Sequence, residues 1–125
     1  MRRFRFLLAA LIGVAFSISS VCADKLLIPM DLSQRDHLKA YGIAFWALQN
    51  GVTVEWLLNF RGGSFLMDLS DPLVLETRVR AVSFEPLSES KVAQIYALID
   101  SENMNRVRLE QVPRIAVYTP LNKQP

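Results

Sequence analysis

Thiols are nearly missing from this 125-residue chain: its one cysteine, Cys22, falls in the N-terminal stretch. Downstream of it no disulfide, thiolate metal ligand or cysteine nucleophile can form. Histidine is as scarce. His37 stands alone, so no imidazole pair exists to share a transition metal, and no metal site is expected. There is no G-x-G-x-x-G, no Walker loop, no H-E-x-x-H and no G-x-S-x-G, so no motif asks for a cofactor and no complete active site is visible. Basic clusters are absent except for Arg2, Arg3 and Arg5. Without these three the 14 basic residues become 11, against 12 acidic. A near-neutral chain with no stripe of Lys and Arg lacks the footprint of a nucleic-acid partner.

What the N-terminus does have is the three-part order of a secretory signal. Arg2, Arg3 and Arg5 form the positive region, and Phe6 to Phe16 is an apolar run broken only by Gly13. Val21-Cys22-Ala23 places small residues before a cut at Asp24. The run is shorter than the roughly 20 apolar residues of a membrane span and ends in serines. Residues 1–23 are therefore expected to be removed, and the chain meets the membrane only transiently. The mature segment, 24–125, is expected in the periplasm or outside the cell. It is long enough for one small domain and too rich in large apolar residues to be disordered.

Along the mature segment, short apolar runs alternate with helical spacing. Lys25 to Ile28 reads as a strand stopped by Pro29. Ser33 and Asp36 suit a helix start. Leu38, Tyr41, Gly42, Phe45 and Leu48 then make a helical stripe that ends at Asn50-Gly51. Val52 to Leu58 is a second strand. Strand, helix and strand with short links predict a βαβ unit and hence a parallel pair. Asn59 to Phe65 reads as a loop, and Leu73 to Phe84 as a third strand with Val79 and Val82 inward. Ser88 and Glu89 open a second helix whose apolar face is Val92, Ile95, Tyr96 and Ile99. Arg114 to Pro120 is a last strand with no helix after it to cover it, which suggests an α/β domain incomplete at its C-terminus.

In open α/β sheets ligands bind beyond the carboxyl ends of strands. Here those ends carry Asp31 after the first strand, Asn59, Arg61, Gly62, Gly63 and Ser64 after the second, and 119–124 after the last. Two glycines allow backbone N–H groups to approach a ligand, Ser64 offers a hydroxyl, and Arg61 can fork onto a carboxylate or phosphate. The candidate partner is a small anionic ligand. The alternative is structural: the Gly-Gly pair serves a turn and Asp31 serves a helix start.

Three blocks resemble the opening of an exported bacterial family labelled asparagine synthetase B: Leu27-Ile28-Pro29-Met30-Asp31, His37-Leu38-Lys39-Ala40-Tyr41-Gly42, and Trp56 to Phe65. The closing Ile115 to Pro120 and Asn122 to Pro125 are similar to a later segment of that family. The resemblance implies a small three-layer parallel sheet of the flavodoxin-like or class I glutamine-amidotransferase-like kind, continuing in a longer protein. It carries over no catalytic residue. Glutamine-dependent synthetases need a cysteine after the initiator methionine, where this chain has Arg2, and the Cys-His-Glu set of class I amidotransferases is not in the segment.

Three functions remain open at this level. The segment is an amidotransferase-like module binding a small anion, an enzyme whose catalytic residues lie past residue 125, or a non-catalytic envelope interaction module.

Overall fold

A computed structural model describes residues 24–114, 116 and 117; the predicted signal lies outside them. Eight elements follow one another: β1 (Lys25–Ile28), α1 (His37–Gln49), β2 (Val54–Leu57), β3 (Ser64–Asp68), α2 (Asp71–Val79), β4 (Glu85–Leu87), α3 (Glu89–Ser101) and β5 (Arg106–Leu109). The five strands form one sheet in the order β4-β1-β3-β2-β5, with every neighbouring pair antiparallel.

The chain is thus a small α/β protein, but the parallel flavodoxin-like or amidotransferase-like sheet is not the one it forms. The predicted β1–β2 pair is split by β3. The turn around Gly62 and Gly63 folds Phe65-Leu66-Met67 straight back on β2, in the register Leu57 to Ser64 and Trp56 to Phe65. A hairpin closes a short loop, whereas a parallel pair needs a long crossover. β3 therefore takes the edge that a parallel β1 would have used. Both β1 and β2 run against β3, so they still point the same way. From β1 to β4 this is the split βαβ, or ferredoxin-like, arrangement, to which α3 and β5 are added.

Strand alternation builds two cores. Leu26, Ile28, Val54, Phe65 and Met67 face α1 and α2. Leu27, Leu57, Leu66 and Leu87 face α3 through Val92, Ile95 and Ile99. The predicted apolar face of α3 and its Ser88 cap, which accepts from the Lys91 backbone N–H, are both present.

Two helical segments differ from their sequence reading. The strand expected over Leu73–Phe84 is largely α2, because Ser70 stands at the N-cap, Pro72 occupies the first turn, and Leu73 and Thr77 bury one face at i, i+4 spacing. Val82 is buried as expected, but Val79 is 72% exposed. In α1 the cap is Asp36, whose carboxylate accepts from the Lys39 N–H at 3.0 Å, rather than Ser33. Gly51 ends the helix at φ +76°, in keeping with its position. The last predicted strand is not formed at Arg114, Ala116 or Val117, which have no regular structure; the rest of that span lies outside the described residues. The last strand of the sheet is instead β5, which pairs with β2. Among the described residues no helix is long and apolar enough to cross a membrane.

Candidate functional site

Because β1 and β2 point the same way, their carboxyl-end loops meet at one corner of the sheet. The backbone joins them first: the Met30 N–H donates to the Arg61 carbonyl at 3.1 Å. Arg61, Gly62 and Gly63 follow one another in the left-handed region, at φ 46°, 80° and 93°. For Gly62 this freedom is doubly required, since a Cβ there would sit 2.4 Å from the Met30 carbonyl oxygen. Arg61 has no such freedom, and an L-residue in that region is strained by about 1–2 kcal/mol. Its side-chain contacts explain how it is held there.

The Arg61 guanidinium is enclosed. Its Nε donates to Asp31 Oδ2 at 2.7 Å, Nη1 to both Glu85 carboxylate oxygens at 2.8 and 2.9 Å, and Nη2 to Ser33 Oγ at 3.1 Å. Asp31 also accepts from the Ser33 backbone N–H at 3.0 Å and from its hydroxyl. The Arg61 side chain and then Ser33 hold the Asp31 carboxyl far below the usual carboxylate range. Reciprocally, the Arg61 pKa is raised, chiefly by Asp31 and further by Glu85, against an opposing pull from burial. One guanidinium facing two carboxylates leaves this trio with a net charge of −1.

Of the remaining predicted site residues, Ser64 and the two glycines serve the same corner. Ser64 is buried, and its hydroxyl donates to the Phe60 carbonyl at 3.0 Å and lies 3.3 Å from that of Arg61. The backbone N–H groups of Gly63 and Ser64 both go to the Phe60 carbonyl, at 3.1 and 3.0 Å. The Gly63 carbonyl accepts from the Trp56 indole at 3.1 Å. Asn59 is exposed on the preceding turn. His37 Nε2 donates to the carbonyls of Met30 and Asp31, both at 3.1 Å, so that nitrogen carries the proton. The predicted loop at 119–124 lies outside the described residues.

Two contributors have no counterpart in the sequence reading. Glu85 is masked there, because the pattern ends a strand at Phe84 and starts a helix at Ser88. Gln34 carries no local signal at all, since its partner Ser83 is 49 positions away. Buried at 5% exposure, its amide donates to the Pro29 and Ser83 carbonyls at 2.9 and 3.0 Å and accepts from the Ser83 and Arg35 N–H groups at 2.9 and 3.1 Å. It pins the loop after β1 to the loop before β4.

No group of three or more His, Cys, Asp or Glu side chains among the described residues is arranged to hold a metal ion. Elsewhere, Tyr96 donates to Glu55 beneath the Arg106 guanidinium, which lies 4.2 Å from its ring centroid. Burial and then Glu55 push the Tyr96 phenol up to about 12. Comparison of the chain with protein-family models, curated proteins and solved structures finds no match.

Proposed function

We propose that the mature chain is a non-catalytic interaction module of an exported protein, in which the strand-end corner fastens the fold. The observation that carries this reading is the closure of Arg61 by Asp31 and Glu85. An incoming carboxylate or phosphate would have to displace carboxylate partners already in place and enter a corner of net negative charge. Two of the backbone donors that could have cradled it, those of Gly63 and Ser64, are spent on the Phe60 carbonyl. Two of the blocks that resemble the exported family labelled asparagine synthetase B supply Asp31 and Arg61 to Ser64, while Ser33, Gln34 and Glu85 come from outside them. On this reading, what the resemblance shares is the way the sheet edge is held. The outer surface of α1, with Leu38 82% exposed and Tyr41 and Phe45 beside it, gives such a module an apolar face.

Arg61→Met tests the fastening. Truncating one partner strands two carboxylates and leaves a strained backbone without its anchor, so the melting temperature should fall by roughly 8 °C or more. Acetate, phosphate and aspartate should leave the wild-type transition unmoved. A variant that melts like wild type, together with a wild-type protein stabilised by one of these acids, would restore the anion-binding reading. Export is checked by mass spectrometry of periplasmic or secreted material, which should find Asp24 at the N-terminus.

A further inference from the structure

A second concavity adjoins the corner and shares Arg61 and Glu85 with it. It is a groove of about 450 Å³ between β4 and α3, within the roughly 300–1,000 Å³ typical of small-ligand sites. Leu27, Leu87 and Ile95 form its buried apolar wall, while Phe60 and the partly exposed Leu98 line it further along. On α3 the groove side is Lys91, Gln94, Ile95 and Leu98. Their i, i+3, i+4, i+7 spacing puts all four on one stripe about 10 Å long.

The charges along this stripe are not equivalent. Arg61 and Glu85 also line the groove, but each neutralises the other, and Asp31 leaves that end negative. Lys91 is different: among the described residues it has no ion-pair partner. Because Ser88 caps α3 directly after β4, Lys91 stands near Leu87, one helical turn from Gln94. The groove therefore offers one unpaired cation with an amide donor next to it, followed by a strip of aliphatic wall.

We propose that this groove binds a small aliphatic carboxylate, with its head on Lys91 and Gln94 and its chain along Leu87, Leu27, Ile95 and Leu98. Charge selects the head and the apolar wall selects the chain, so neither a short acid nor an alkylamine satisfies both. This site shares Arg61 and Glu85 with the corner as lining, but its head group sits on Lys91 and does not depend on Arg61 being open to ligands.

The test is calorimetric titration of the purified chain with octanoate, butyrate and octylamine, supported by amide chemical shifts. Octanoate should bind saturably and shift Lys91, Gln94 and Leu98. Each methylene removed should weaken binding roughly fourfold, leaving butyrate silent. Lys91→Met should weaken octanoate about tenfold, Lys91→Arg should retain it, and Leu98→Ser should weaken it severalfold. Lys91 and Leu98 are both exposed, so these variants should melt as wild type does. Unsaturable octanoate, equal binding of octylamine, or unchanged affinity in Lys91→Met would overturn the proposal. So would co-sedimentation with phosphatidylglycerol vesicles that Lys91→Met and Leu98→Ser each abolish, since that would assign the stripe to a lipid surface.

Discussion

Replacing Gly62 by alanine is the sharpest perturbation of the corner, because its cost has two separable parts. The first is the backbone: at φ +80° an L-residue is disfavoured by about 1–2 kcal/mol. The second is steric. The added methyl would lie 2.4 Å from the Met30 carbonyl oxygen and 2.7 Å from its carbon, and both are main-chain atoms that cannot rotate away. Relief requires the two loops to part, which breaks the Met30 to Arg61 backbone bond, worth about 0.5–1.5 kcal/mol. It also pulls Arg61 off Asp31. The combined cost is about 2–4 kcal/mol, or roughly 8–30 °C of melting temperature in a domain of this size. Gly51→Ala is the internal control. Its φ of +76° is nearly the same, but nothing lies within 4 Å of the new Cβ, so only the backbone part applies. Thermal melts by circular dichroism of wild type and both variants decide the matter. Equal losses in Gly62→Ala and Gly51→Ala would refute the claim that the loops are locked against each other.

Three further outcomes rest on the same geometry. Asp31 has a depressed pKa in the folded state, so its stabilisation is full above the ordinary carboxylate value of 3.8 and is lost as pH falls through the lower folded value. The wild-type melting temperature should therefore decline between about pH 5 and pH 2, with a shallower slope in Asp31→Asn; equal slopes would remove Asp31 from the account. Gln34→Ala leaves the Pro29 and Ser83 groups unpaired in the interior and should destabilise by about 2 kcal/mol or more in urea unfolding, whereas a surface role predicts almost no change. Leu73→Ala should destabilise by about 2–5 kcal/mol and Val79→Ala by less than about 0.5, the ranking of a helix that buries Leu73; a strand with Val79 inward would reverse it.

The meeting of Asp31 with Arg61 is legible in the sequence although the sheet is not. It requires only that two strands joined by a helix point the same way, which places their carboxyl ends together. That direction survives when β3 enters between them. What the local pattern does not show is the insertion, because Ser64 to Asp68 follows so closely on β2 that its first residues read as the end of a loop. Nor does it show Glu85 or Gln34. β4 and the loop before it bring Glu85 to Arg61 and Ser83 to Gln34, and the energy of a guanidinium fork or a fully used amide has no local period. α3 is legible for the opposite reason: cap, dipole and apolar spacing all lie within thirteen residues and agree.

α1 marks the limit of periodicity most clearly. Leu38, Tyr41 and Phe45 share one stripe, and large apolar residues at that spacing suggest the buried side. Of that predicted stripe the structure buries only Leu48, and the rest of the buried side is Ala40, Ile43, Ala44 and Ala47. The helix is apolar on both sides, so spacing names two faces without choosing between them. The sheet side is mostly small, with Ala40, Ala44 and Ala47 facing the core beside Ile43 and Leu48. Small residues toward the sheet let the helix axis approach β1 and β3, and Leu26, Ile28 and Met67 fill from below the volume that alanine leaves open. Tyr41 reaches around the helix to meet Phe65 edge-on, with ring centroids 5.6 Å apart, and Phe65 stacks on Trp56 at 6.0 Å. The aromatic side chains thus bridge the rim of the core, while Leu38 and the outer part of Phe45 stay uncovered. A helix needing only to cover a sheet gains nothing from large apolar residues on its outer side. The exposure of Leu38 is the feature of α1 that covering the sheet does not account for, and it is why the proposed interaction face is placed on this side.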